Sequence, residues 1–354
     1  MVDQLTPPRY PLGPLLSASV VLSLFTYPPG GVLAVGAAGC LLLTLTQMVE
    51  DYVGPLTIVS LIVLAILTLL STWLCVVRQR TETRFRRVQT VAEAVQLALL
   101  RPLPERIGHL RLSGFYRAAD EEALIGGDLY SVRPTPFGLR AIVGDVKGKG
   151  IAATQTVATV ISAFQEAALL YPSLSQVAER IDAALELDRE TPPMAPLQDA
   201  GAVSPTGHTA PAEEVFATAV LLEFPDNARA VHVLDRGHQP LLAIRGGRAY
   251  VVESEHSLPL GMGDLLTAPP HTVTLPLHPG EILLAYSDGI TECRNRAGTF
   301  YPLRERLQNH CANSTGAVSP SGLVAFIEED VARWAATLSD DLVAIAFQIA
   351  RTDD

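Results

Sequence analysis

Lysine is almost missing from this chain of 354 residues: Lys147 and Lys149 are its only two, and every other basic side chain is arginine or histidine. Cysteine is scarce as well, with four in all. Cys40 and Cys75 fall in apolar stretches, and Cys293 and Cys311 lie far apart, so no disulfide framework or thiolate metal site is encoded. No histidine–cysteine cluster offers the ligand set of a zinc site. The net charge is −11, and one short arginine segment is the only basic run, which argues against nucleic acid as a partner. No basic region precedes the first apolar run, so a cleaved signal peptide fits poorly.

What the chain has in excess is apolar sequence, and the excess is local. The hydrophobic fraction is 48% and the mean hydropathy +0.27. Pro55 to Val77 runs 23 residues without a charge, enough to cross a hydrocarbon core of about 30 Å. Val32 to Val49 and Pro11 to Tyr27 are further uncharged stretches. Residues 1–77 are therefore expected to form a membrane region of three transmembrane helices, at about 11–27, 31–49 and 55–77. Buried core helices are the rival reading. Arg78, Arg80, Arg84, Arg86 and Arg87 follow the last span, which places the C-terminal side in the cytoplasm and next to anionic lipid headgroups. The expectation is a multi-pass protein of the cell membrane with a cytoplasmic body.

Residues 78–104 read as a linker helix. Val88, Val91, Val95 and Ala98 have heptad-like spacing, and Arg101-Pro-Leu-Pro104 ends the pattern. A short parallel coiled coil, hence a homodimer, and a single amphipathic helix packed on its own domain fit this equally. From 105 to 354 short strands and helices alternate, as in an α+β layered domain, with a flexible loop at about 190–213 rich in Pro, Gly, Ser and Ala. Helices are expected at Ile151–Leu170, Leu174–Leu187, Leu303–His310 and Ser321–Thr337, and a last strand at Leu342–Ile349.

Acids flank this pattern beside glycines. Asp128 follows Gly126-Gly127, Asp145 follows Gly144 and opens a glycine-rich turn, Asp288 precedes Gly289, and Asp340 stands before the final strand. Carboxylates at strand ends can converge on one sheet edge, and glycine lets ions and phosphate oxygens approach the backbone. Hard cations such as Mg²⁺ and Mn²⁺ take oxygen ligands, and two of them ~3.5–4 Å apart can share a carboxylate. Asp and Gly also mark turns for backbone reasons alone. That reading serves each acid singly and serves the ordered set poorly.

The series Gly126-Gly-Asp-Leu-Tyr130, Gly144-Asp-Val-Lys-Gly-Lys-Gly150, Phe216-Ala-Thr-Ala219, Gly237-His-Gln-Pro240, Tyr286-Ser-Asp-Gly-Ile-Thr-Glu292 and Asp340-Asp341 resembles the SpoIIE-like branch of the metal-dependent protein serine/threonine phosphatases, relatives of protein phosphatase 2C. The resemblance runs from about Val88 to Ile349. It implies an αββα sandwich of two antiparallel sheets flanked by helices, here preceded by the N-terminal transmembrane segment. It also implies a centre of two Mn²⁺ or Mg²⁺ ions. Asp145 would bridge them, and Asp288 and Asp340 would complete one site. The Val146 carbonyl would serve the other, with Asp128 in contact directly or through water. A metal-activated water, with Asp145 and Asp288 as its main carboxylates, would attack a phosphoserine or phosphothreonine without a covalent phosphoenzyme. The implied substrate is a phosphorylated STAS-type anti-sigma-factor antagonist in a partner-switching pathway.

The chain departs from the family pattern in places. Ser131 stands where an aspartate is common, and Lys147 and Lys149 stand where small polar residues and histidine are frequent. The lysines are candidate phosphate-binding groups, or they are solvated turn residues that offset the acids. His238 and Thr218 read as structural, and Glu292 as an outer support for the Asp288 turn. No familiar sensory segment separates membrane and body, so the spans or another protein would carry any input. The rival functions are a catalytically weak pseudophosphatase that only binds its partner, and a metal-dependent phosphodiesterase. Four acids oppose the first, and the missing basic surface opposes the second.

Overall fold

The computed structural model describes residues 13–49, 55–119, 126–190, 215–226, 229–314 and 318–350. The loop expected at about 190–213 lies outside them beyond its first residue, as do the side chains of Val88, Val91, Val95 and Ala98. The chain divides into two compact units, Met1–Val88 and Gln89–Asp354.

In the first unit, α1 (Gly13–Thr26) and α2 (Pro29–Val49) are separated by Pro28-Pro29, where the missing N–H groups end one helix and suit the first turn of the next. Helix α3 (Pro55–Leu99) follows and runs on into the second unit. Among the described residues, two segments, Pro29–Thr46 and Ile58–Thr81, are long and apolar enough to cross a membrane; α1, with 14 residues, is about 21 Å long. Gly36 lies against Thr68 and Gly39 against Leu64, so small residues let α2 and α3 approach closely. Ser23, Thr68 and Ser71 are buried, whereas Leu41, Leu45, Ile62, Leu69 and Trp73 face outward.

The second unit is a sandwich of two antiparallel sheets. One sheet has the order β1 (Arg106–Ile107), β2 (Leu110–Arg117), β11 (Leu342–Ile349), β10 (Ile282–Tyr286), β7 (Leu242–Arg245), β8 (Arg248–Val251). The other has the order β3 (Asp128–Thr135), β4 (Gly138–Val146), β5 (Ala217–Phe224), β6 (Ala230–Arg236), β9 (Thr272–Pro276). The period of two in β11 sorts its side chains between layers. Val343, Ile345 and Phe347 point between the sheets, while Leu342, Ala344 and Ala346 meet the helices α7 (Leu303–Asn313) and α8 (Pro320–Trp334). Phe347 meets Phe224 of the opposite sheet, ring centroids 5.0 Å apart. Helices α4 (Ile151–Leu170) and α5 (Leu174–Glu190) cover the β3–β9 sheet through Val157, Val160, Ile161, Phe164 and Leu174, Val177, Ile181, Leu185, each set at helical spacing. This is the expected αββα layering.

Among the described residues, two arginines are wholly buried in the sandwich. Arg140 donates to Glu223 and to the carbonyls of Ala168, Tyr171 and Pro172, the end of α4, where the helix leaves acceptors unpaired. Arg236, at the end of β6, forms a two-pronged pair with Asp182 of α5 and also donates to Leu258 and Pro259 carbonyls.

Candidate metal centre

The β3–β4 hairpin puts two acids side by side: in its register Asp128 pairs with Asp145 and Leu129 with Gly144. The Val146 N–H donates to the Gly127 carbonyl at 3.1 Å, extending the ladder one step past Asp128. A Cβ at Gly127 would collide with the Val146 carbonyl oxygen and crowd Asp145 Oδ1, so only glycine leaves that oxygen accessible. The third acid comes from the other sheet. Strand β10 ends at Tyr286, and Ser287 leads into the single turn α6 (Asp288–Glu292). The Ser287 hydroxyl accepts from the Val343 N–H at 3.0 Å, tying this turn to β11. Gly289 packs against the Asp341 carbonyl, where a Cβ would clash.

Asp128, Asp145 and Asp288 each offer a carboxylate oxygen, and these oxygens all lie within 4.8 Å of one another. Three mutually repelling acids in a partly buried place resist ionisation. Burial pushes Asp128 well above the usual carboxylate range, and the charge of Asp145 adds to it, against a lowering hydrogen bond from Ser287. Burial, then Asp288, Asp340 and Asp341, push Asp145 up to about 7, with Lys149 opposing. Asp288 is raised by burial, then by Glu292 and Asp340. An all-oxygen donor set that repels itself, beside a backbone carbonyl kept open by glycine, suits a hard divalent cation.

The remaining candidate residues surround this group. Asp340 is half-buried and stands outside the three-carboxylate cluster; its Oδ2 lies 3.1 Å from Lys149 Nζ. Val146 is buried next to Asp145. Lys147 sits 4.8 Å over the Phe216 ring, and its N–H donates to the Phe216 carbonyl. Thr218 pairs with Asp145 across β4–β5, and its hydroxyl lies 3.5 Å from the Asp145 carbonyl oxygen. His238 is buried outside the acid group, its N–H donating to Asp235, and burial lowers its imidazole to about 4, so it is neutral at pH 7. Glu292 acts on Asp288 through its charge.

Asp341, the second of the adjacent pair Asp340-Asp341, carries no sequence signal that separates it from its neighbour. It is buried, accepts from the Tyr116 hydroxyl at 2.6 Å and the Ala119 N–H at 3.0 Å, and packs against Gly126. Its charge also acts on Asp128 and Asp145. Tyr116, in strand β2, carried no local signal at all.

The family profile described as Stage II sporulation protein E (SpoIIE) matches residues 135–350, a stretch containing Asp145, Asp288 and Asp340. Among solved structures, the RsbU and RsbW domains of a Mycobacterium tuberculosis protein are similar at 19% identity, over 68% of this chain and 60% of that one, with a TM-score of 0.53. The SiaA-PP2C domain of Pseudomonas aeruginosa is similar at 14% identity, over 77% of this chain and 98% of that one, with a TM-score of 0.53. The PP2C phosphatase domain of SpoIIE from Bacillus subtilis, with a fragment of its regulatory domain, is similar at 17% identity, over 69% of this chain and 63% of that one, with a TM-score of 0.50. At such identities the likeness is one of fold, and the match spans only 60% of the first chain's length and 63% of the last's. No curated protein sequence matches.

Proposed function

We propose, because this chain belongs to the SpoIIE family of metal-dependent, PP2C-type protein phosphatases, that it is a membrane-anchored phosphatase removing phosphate from serine or threonine of a cytoplasmic protein. In this reading residues 1–77 form the membrane region with three spans, 78–104 the linker and 105–354 the catalytic domain. The substrate is a STAS-type anti-sigma-factor antagonist; a relative that combines RsbU and RsbW domains supports a protein partner of that pathway. The observation that carries the proposal is the convergence of Asp128, Asp145 and Asp288 from both sheets.

Asp145 would bridge two Mn²⁺ or Mg²⁺ ions, with Asp288 and Asp340 completing one site and the Val146 carbonyl the other, and Asp128 in contact directly or through water. When bound, such ions supply Lewis acidity and lower the pKa of water at the site. The chain's own part is preorganisation. The β3–β4 ladder fixes Asp128 beside Asp145, Ser287 fixes the start of α6, and Gly127 keeps a carbonyl uncovered. The Arg cluster after residue 77 supports a cytoplasmic body.

The test is phosphate release from p-nitrophenyl phosphate, and then from a phosphorylated STAS-domain protein, by the full chain in detergent micelles. Release that requires Mn²⁺ or Mg²⁺ is expected; binding of the phosphoprotein without release in either metal would leave the pseudophosphatase instead. Gly127→Ala is expected to keep the far-UV circular dichroism and lose about 10–100-fold in kcat/KM, the range for a change that misplaces a ligand without deleting it. Wild-type activity in that variant would remove the Val146 carbonyl from the site.

A further inference from the structure

Lys149 is engaged by the protein itself. Its ammonium donates to the Ser339 carbonyl at 2.8 Å and stands 3.1 Å from Asp340 Oδ2. Lys149 belongs to the glycine-rich turn after β4, in one sheet, while Ser339 and Asp340 lead into β11, in the other. The side chain therefore joins the two sheets at the end where the acids meet. Its charge opposes the three carboxylates that act on Asp145. Asp340, the partner it holds, is the one proposed carboxylate ligand outside the cluster formed by the other three.

We propose that Lys149 is a built-in competitor for the second divalent ion, holding Asp340 in an ion pair that opens before Asp340 can ligate. This rests on the reading of Asp340 as a metal ligand. An ammonium is a compact point charge that occupies the place of a cation without its coordination geometry. The pair is exposed on both sides, 37% for Lys149 and 42% for Asp340. A pair of that exposure changes an equilibrium by only a few-fold, so an ion can displace it. The consequence is two unequal sites: one held by Asp145, the Val146 carbonyl and Asp128 that fills first, and one held by Asp145, Asp288 and Asp340 whose apparent affinity carries the cost of opening the pair.

The experiment is calorimetric titration of Mn²⁺ into the full chain in detergent micelles, with far-UV circular dichroism on each variant. Wild type is expected to take two ions of unequal affinity. Lys149→Met is expected to tighten the weaker site by about two- to fivefold and leave the stronger one unchanged. Lys149→Arg, which keeps the pair, is expected to restore values near wild type. Unchanged affinities in Lys149→Met would overturn the proposal. So would a weakened second site, which would make Lys149 part of its construction, or equal tightening of both sites, which would make it a general charge. Asp340→Asn separates this from the underlying reading. Loss of the weaker site alone supports Asp340 as ligand, whereas two ions bound as in wild type, or no ion bound by wild type, would remove that reading and the competitor with it.

Discussion

Replacing Asp145 by asparagine is expected to abolish phosphate release and at the same time make the metal-free protein more stable near pH 8. The first effect follows from the proposed bridging role of Asp145, which pairs with Asp128 across the β3–β4 ladder and offers an oxygen within 4.8 Å of those of both Asp128 and Asp288. A loss well beyond the ~10–100-fold caused by removing a group that only orients a ligand is expected in kcat/KM. The second effect follows from what the acid costs when no ion is bound. In the unfolded chain Asp145 ionises at its ordinary 3.8, and in the folded protein at about 7, chiefly through burial and then through Asp288. Below pH 4 both states hold the proton and nothing is lost. Between about 4 and 7 the unfolded chain releases a proton that the folded one keeps, so stability falls as pH rises, and above 7 the deficit is complete. The shift corresponds to at most about 4 kcal/mol. Asparagine has the same shape and no charge, so the variant should lack that deficit. Denaturant unfolding in EDTA at pH 5 and pH 8 checks this: the gap between variant and wild type should widen at pH 8. Adding Mn²⁺ should reverse the order, since bound ions stabilise the wild type by mass action and favour its ionised carboxylates. A variant less stable than wild type in EDTA at pH 8 would show that the acids do not strain the metal-free fold.

That trade between stability and chemistry explains why the site was easier to read than much of its frame. Acids beside glycines are visible along the chain because both residue types are needed locally: Asp128 after Gly127, Asp145 after Gly144, Asp288 before Gly289. Elements with a clean period were equally legible. Ile151–Leu170 and Leu342–Ile349 have the bounds their apolar spacing sets. Strand β9, Thr272–Pro276, was missed because it is a half-exposed edge strand, polar in every second place and closed by proline. The turn α6 was missed because five residues carry no period. Asp340 and Asp341 illustrate a different limit. Two adjacent identical residues offer no pattern that tells which one faces inward, and only the packing of Tyr116 and Gly126 makes Asp341 the buried one. The buried arginines were invisible for the same reason: Arg140 and Glu223 lie 83 residues apart in sequence, Asp182 and Arg236 54.

Asp182→Ala should therefore be among the most destabilising single changes in the second unit. Arg236 is fully buried, with its guanidinium 2.8 and 3.2 Å from the two oxygens of Asp182, whose side chain is 13% exposed. Asp182 also accepts from the Gly261 N–H at 2.6 Å, so its carboxylate holds α5 both to the end of β6 and to the loop before β9. Removing the acid leaves a desolvated positive charge with only carbonyl partners, which costs about 3–5 kcal/mol. At about 2–4 °C per kcal/mol for a domain of this size, the melting temperature should fall by roughly 6–20 °C. Near-UV circular dichroism of the full chain, which follows the aromatic packing of the sandwich, is the measurement. Asp182→Leu combined with Arg236→Met removes both charges and keeps apolar volume, so it should recover most of the loss. The end of β6 also leads to His238, two residues past Arg236, whose N–H donates to Asp235 and whose buried ring is neutral. A melting temperature within 2 °C of wild type for Asp182→Ala would mean that water reaches Arg236 and that this end of β6 is held by its backbone alone.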